Sequence, residues 1–329
     1  MTGAVLHPHR PGNAALARDA KLRTRAARAS VTVASALVAA KLGAALITGS
    51  VSILASLVDS LADLAASALT LFSVRKAQRP PDADHRFGHG KAEALSSLVQ
   101  ATLIAGSAVF VVTEAWRSLS HPEPVVSTGL GLGVMVLSLV LTGALVLYQR
   151  HVVRETGSIA ISGDLAHYVT DFLSAFAVMA ALAVEHWTNT PWIDPVMGAL
   201  VAIYLAATAW GVARRAVDEL MDRELPDSDR SRIEDLVRSV PKVQGLHDLR
   251  TRAAGASMFI ELHLELDPQM RLGEAHHVAD EVIARVRSVY PSSDVLVHQD
   301  PADVDEHRLD DVVAHTENQS RAGVPDPAN

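Results

Sequence analysis

The sequence predicts a membrane all-α domain of six transmembrane helices, followed by a small α+β domain of order αββαβ. Three observations carry this. Of the 329 residues, 49% are hydrophobic but only 4% aromatic, and mean hydropathy is +0.20, so the apolar residues must be concentrated. They fall into six blocks, each near the ~20 residues a helix needs to cross the hydrocarbon. After Arg215 the composition changes to that of a soluble domain, with strand-like alternation.

The spans run roughly Ala29–Gly49, Val51–Val74, Ala94–Trp116, Thr128–Tyr148, Ile159–Val184 and Pro195–Ala213. A tight Gly49–Ser50 turn makes the first two a helical hairpin. The first block is too long for a cleavable signal and follows Arg18, Lys21, Arg23, Arg25 and Arg28, so it is expected to be retained. Lys and Arg cluster in the amino-terminal arm, in Arg75–Lys91, in Arg150–Arg154 and at Arg214–Arg215. The opposite connections (Gly49–Ser50, Arg117 among Pro122 and Pro124, Glu185–Asp194) carry almost nothing basic. By the positive-inside rule both termini are cytoplasmic.

In the soluble part, Ser228–Ser239 has helical periodicity, with Ile233, Leu236, Val237 and Val240 on one face. Leu246–Arg252 and Ser257–Leu266 have strand character. The second alternates Ile260, Leu262, Leu264 and Leu266 against Glu261, His263 and Glu265. Leu272–Val289 is helical and Ser293–Gln299 is a third strand. That order suits a ferredoxin/metallochaperone-like sheet with helices on one face. The expected organisation is a basic cytoplasmic arm (1–28), a six-span domain (29–215), a cytoplasmic α+β domain (216–300) and a disordered acidic tail (301–329).

With no Cys, a disulfide framework, a thiolate metal site and a cysteine nucleophile are all excluded. The net charge of −8 argues against a nucleic-acid partner. An apolar, Cys-free chain with 15 His suggests a membrane protein that handles metal or protons. Ionisable residues inside spans point the same way, since each is costly and by default functional. Span two carries Asp59 and Asp63; span five carries Asp164, His167 and Asp171. Asp59/Asp63 and His167/Asp171 are i,i+4 pairs, each on one helix face. Facing each other, they supply three carboxylates and one imidazole, a set suited to a tetrahedral ion such as Zn²⁺. The competing reading is buried hydrogen bonding between helices. Asp164 either orients the His167 ring or marks the cytoplasmic end of span five. Lys41 is expected to snorkel or to compensate charge.

Two further sets stand out. In PPDADHRFGHGKAE, Asp82, His85 and His89 are placed to share one ion, with Gly88 and Gly90 letting the backbone fold around it. The alternative is a polar loop capped by Asp82 or Asp84. The soluble domain carries His247, His263, His276, His277, His298 and Asp300; His298 and Asp300 share a strand face. So many histidines in so short a stretch favour a metal cluster over a solvated face.

These residues together resemble the cation diffusion facilitator family, and within it the branch of bacterial zinc and ferrous-iron efflux pumps. The resemblance covers about residues 25–302. It is carried by an ordered set of motifs: VDSLAD in span two, DHRFGHGKAE in the following loop, HYVTD in span five, and HDLRTR, HLEL and VHQDP in the soluble domain. It implies a homodimer in the bacterial cytoplasmic (inner) membrane that moves divalent metal (Zn²⁺, with Fe²⁺ or Cd²⁺ possible) against protons by alternating access. It implies a transport site of Asp59, Asp63, His167 and Asp171, and a loop site of Asp82, His85 and His89. The implied binuclear cytoplasmic site is His247, His263, His276, His298 and Asp300, holding structural or regulatory Zn²⁺. Lys91 and Asp222 match an interlocking ion pair between the membrane halves of the dimer. The implied partners are a second copy, membrane lipid, metal ions and protons. A membrane metalloenzyme would need an open metal position and a base. A sensor would leave the buried pairs without a role, and a channel would use weaker, multi-site coordination. The expectation is therefore a transporter, not an enzyme.

Overall fold

The described residues of the structure, a computed structural model, are 13–49, 51–120, 129–188, 193–304 and 308–321. They contain six long helices, α1 (Asn13–Thr48), α2 (Val51–Ala77), α3 (Ala92–Ser120), α4 (Gly129–Thr156), α5 (Ile159–Thr188) and α6 (Ile193–Leu220). After these come α7 (Asp227–Arg238), β1 (Gly245–Ala254), β2 (Ser257–Leu266), α8 (Leu272–Val289), β3 (Ser293–Pro301) and α9 (Leu309–Arg321). A helical membrane domain followed by a small α+β domain is the architecture read from the sequence. Ser50 of the expected hairpin turn, the loops 121–128 and 189–192, the first twelve residues of the basic arm, and 305–307 and 322–329 of the tail lie outside the described residues.

The chain divides into two compact units, one of Ala17–Met221 and one made mainly by the residues from Asp222 onward. In the helical unit, five segments are long and apolar enough to cross a membrane: Leu16–Thr48, Ile53–Ala77, Ala92–Arg117, Gly133–Thr156 and Val196–Leu220. The remaining long helix, α5, has 30 residues and packs against α2, α3, α4 and α6. Such surroundings let it carry Asp164, His167 and Asp171 turned inward rather than into lipid. Close approach of α5 to α3 depends on Gly163, where a Cβ would come within 2.7 Å of Ser97 Oγ and 3.1 Å of Ser97 Cα.

Helix boundaries depart from the expected ones at both ends of this unit. Residues 13–28, expected to belong to a separate arm, are the first turns of α1. Arg23, Ala26 and Ala27 are buried there. The reason is local: Arg23 donates to Glu93 Oε1 of α3 at 3.0 Å and to the Thr156 carbonyl at 2.6 Å, while Ser158 Oγ donates to Glu93 Oε2 at 2.5 Å. Ala26 and Ala27 of the same turns pack into a buried apolar cluster with Val74, Val152, Ala160 and Ile161. At the other end, α6 continues to Leu220, beyond the expected exit at Arg215.

In the second unit the sheet order is β1-β2-β3, with β1 antiparallel to β2 and β2 parallel to β3. The alternation in β2 puts Ile260, Leu262, Leu264 and Leu266 onto one face. There they meet Ile233 and Val237 of α7 and Val278, Val282 and Val286 of α8. The opposite face is left to Glu261, His263 and Glu265. Within the tail expected to be disordered, residues 309–321 form α9. Asp310 and Asp311 in its first turn complement the helix dipole.

Candidate metal centres

In the helical unit, helical periodicity stacks Asp171 one turn beyond His167 on α5, and α2 brings Asp63 opposite. His167 Nε2 lies 3.0 Å from Asp63 Oδ1 and 3.5 Å from Asp171 Oδ2. The imidazole is 5% exposed. Its Nδ1, and Oδ2 of Asp171, are buried without a hydrogen-bond partner. One donor atom from each of the three residues falls within 4.8 Å of the others, close enough to share one ion. Asp59, expected as the fourth ligand, is exposed on α2 and lies outside that group. Ser67, one turn past Asp63, bonds Tyr168 at 2.7 Å and ties α2 to α5 beside the cluster.

Asp164 does not orient the His167 ring. Its carboxylate is fully buried and accepts from Ser30 Oγ at 2.6 Å, Gln149 Nε2 at 2.6 Å and Gln100 Nε2 at 3.2 Å. It therefore joins α1, α3, α4 and α5 and is bonded to none of the proposed ligands. Lys41 Nζ donates to Ser60 Oγ at 2.6 Å and the Ser56 carbonyl at 3.1 Å, linking α1 to α2.

In the loop before α3, Asp82 caps the turn and also lies beside both imidazoles. Its Oδ1 accepts from the N–H groups of His85 at 2.7 Å and Asp84 at 3.2 Å, which caps the turn. The same carboxylate lies 3.2 Å from His85 Nδ1 and 3.2 Å from His89 Nε2. The His85 and His89 rings are 4.6 Å apart, and both nitrogens of buried His89 lack a hydrogen-bond partner. The backbone N–H of His85, helped by both imidazoles, holds Asp82 below the ordinary carboxylate range. Lys91 Nζ donates to the Leu220 carbonyl at 3.2 Å.

On the sheet, strand register sets out the third group. His247 pairs with His263, and His263 with His298, so three imidazoles form a row across the strands. Ring centroids are 5.1 Å and 4.7 Å apart along it. Asp300, 6% exposed, reaches all three: 3.6 Å to His247 Nε2, 2.8 Å to His263 Nδ1 and 3.1 Å to His298 Nε2. Imidazoles converging on a buried carboxylate fit zinc-type coordination. His276 does not join them: it is exposed on α8, with Asp280 at 3.6 Å, and His277 beside it is exposed too. Asp222 pairs with Arg252 at 3.2 Å.

Two carboxylates at this row were absent from the sequence expectation. Glu265 Oε1 is 3.0 Å from His247 Nδ1, a contact that orients the ring. It lies across Gly245, its strand partner, where any Cβ would run into the carboxylate. Its signal was present, since Glu265 shares the polar face of β2 with His263. Asp248 joins His247 and His263 in a group with donor atoms within 4.8 Å. It sits at a bulge between His247 and Arg250, with φ 50°, a region Asp tolerates. Burial raises the Asp248 carboxyl, but the N–H groups of Leu309 and Asp310, with His247 and His263 nearby, outweigh it and leave the group below its ordinary value.

Residues 27–221 match the family model described as cation efflux transmembrane domain, and residues 225–302 match cation efflux protein, cytoplasmic domain. Cation-efflux pumps FieF of Salmonella newport (strain SL254) and of Salmonella typhimurium (strain LT2) are each 44% identical over 284 residues, covering 86% of this chain and 94% of theirs. Among solved structures, the zinc form of CzrB is 27% identical over 26% of this chain and 99% of its own, with a TM-score of 0.25.

Proposed function

Since the chain belongs to the cation efflux family, we propose that this transporter exports Zn²⁺, with Fe²⁺ or Cd²⁺ as further substrates, in exchange for protons. It works as a homodimer in the bacterial cytoplasmic membrane, with both termini in the cytoplasm. One observation supports this reading above the rest. Asp63, His167 and Asp171 converge between α2 and α5 with a ring nitrogen and a carboxylate oxygen buried and unbonded. Polar atoms in that condition are costly unless a ligand satisfies them.

Asp59 completes the tetrahedral set by a side-chain rotation from the neighbouring turn of α2. Because such ligands bind metal deprotonated, a cation entering from the cytoplasm releases protons, and protons arriving from the far side compete for the same atoms. Asp82, His85 and His89 form a loop site that presents metal on the cytoplasmic side. The 216–300 region acts as the dimerisation domain, and its row of His247, His263 and His298 with Asp300 holds regulatory Zn²⁺. His276 enters only if α8 supplies it to a second copy. Lys91 and Asp222 act as the interlock between copies.

The test is zinc flux into proteoliposomes under an imposed pH gradient. Uptake should follow the direction of the gradient and vanish in Asp171→Ala. Flux indifferent to the gradient would remove the antiport reading, and normal flux in Asp171→Ala would remove the site.

A further inference from the structure

Helix α9 begins seven residues beyond the end of the matched cytoplasmic-domain region at 302, yet it is fastened to the carboxylates at the imidazole row. Asp248 N–H donates to Asp310 Oδ2 at 2.8 Å, and Asp310 N–H donates back to Asp248 Oδ1 at 3.0 Å. Just before the helix, the Arg308 guanidinium lies 2.8 Å from Glu265 Oε1, the same oxygen that His247 Nδ1 meets at 3.0 Å. Every one of these fastenings ends on Asp248 or Glu265, the two carboxylates that flank His247.

A guanidinium stays charged at any physiological pH. In the structure Arg308 supplies, beside Glu265, positive charge of the kind a divalent ion would bring to the row. The two cations repel one another at this range. They also make opposing demands on Glu265. A metal on His247 Nε2 needs Nδ1–H to donate to Glu265, the carboxylate–histidine pairing that raises ligand basicity. Arg308 withdraws that oxygen's electron density. Asp248 is divided in the same way, between the N–H groups of α9 and a ligand group with His247 and His263.

We propose that α9 is an intramolecular plug for the cytoplasmic metal cluster. Arg308 and a divalent cation compete for the carboxylates around His247, so metal loading loosens α9 and docked α9 lowers the affinity of the cluster for metal. Binding linkage makes the two effects equal in size. The inference rests on the cytoplasmic row being a divalent-metal site, as set out under Proposed function. Its consequence is a higher metal threshold for regulation than the histidines alone would set.

The chain has no Cys, so introduced thiols label cleanly. Full-length protein in detergent carries spin labels at Ser231→Cys on α7 and Thr316→Cys on α9, both exposed positions. Without metal the inter-label distance should be narrowly distributed, and saturating Zn²⁺ should broaden it. Arg308→Gln should be broad already without metal. By chelator competition, the binding component that His263→Ala removes should tighten about fivefold or more in Arg308→Gln, and Arg308→Lys should retain most of the wild-type behaviour. If His263→Ala removes no zinc binding, the cluster assignment fails and the plug with it. If that component exists but the distances ignore zinc, or its affinity ignores Arg308→Gln, the cluster stands and the plug is overturned.

Discussion

Removing Arg23 should cost the transporter more stability than removing Arg23 and Glu93 together. Their side chains are 7% and 1% exposed, so the pair is shielded from water and from screening by salt. Glu93 has two partners, Arg23 and the Ser158 hydroxyl; Arg23 also holds the Thr156 carbonyl at the end of α4. In Arg23→Met, Glu93 becomes a buried charge with only a hydroxyl for support, a situation that costs about 3–5 kcal/mol. The Thr156 carbonyl adds about 1 kcal/mol for its lost partner. Glu93→Leu strands the guanidinium with one carbonyl and should fall at the lower end of the same range, about 3 kcal/mol. The double variant Arg23→Met/Glu93→Leu removes both charges along with their desolvation and leaves two apolar side chains at buried positions. It should recover most of the loss, giving a coupling energy of about 2 kcal/mol or more. The assay is equilibrium unfolding in mixed micelles, followed by the loss of helical circular dichroism. A double variant as unstable as the sum of the singles would refute the argument, because the two groups would then be independent.

Three other outcomes are expected. Asp164→Asn keeps the size of the side chain and should leave zinc affinity at the proposed transport site within about twofold, whereas Asp171→Asn should lower it by tenfold or more, on the order of removing one ligand's orientation; titration calorimetry with Zn²⁺ distinguishes them, and equal losses would tie Asp164 to the metal site. His167→Asp converts an imidazole-bearing site into an all-carboxylate one, so discrimination against Mn²⁺ should relax while zinc transport weakens; competition between Zn²⁺ and Mn²⁺ in the flux assay checks this, and an unchanged preference would separate His167 from the transported ion. Asp82 lies below its ordinary carboxylate value chiefly because the His85 N–H donates to it. A depressed value means that its support of the loop turn is complete above about pH 4 and is lost only as pH falls through the lowered value. Hydrogen exchange at His85 should therefore stay slow down to about pH 4 and then rise; a rise beginning near pH 6 would assign the turn to the histidines instead.

Helical and strand periodicity alone determined a good deal. Six long helices, the αββαβ order and the inward alternation of β2 all appear in the structure, because the length of an apolar run and the period of an apolar face can be counted along the chain. The i,i+4 spacing likewise determined that Asp59 shares a face with Asp63, and His167 with Asp171. It could not decide which turn of α2 faces α5, since that depends on how two helices cross, and the structure brings Asp63 to His167 while leaving Asp59 exposed. Tertiary structure alone decided the role of Asp164, whose partners Ser30, Gln100 and Gln149 come from three other helices. It also decided the row of His247, His263 and His298, because register between strands is set by pairing across the sheet and not within any one strand. The bulge that turns Asp248 toward that row, and the reach of Arg308 to Glu265, leave no periodic trace at all. Local spacing is a property of one segment, but a metal cluster is assembled from several, and only the packed chain brings them within a few ångströms.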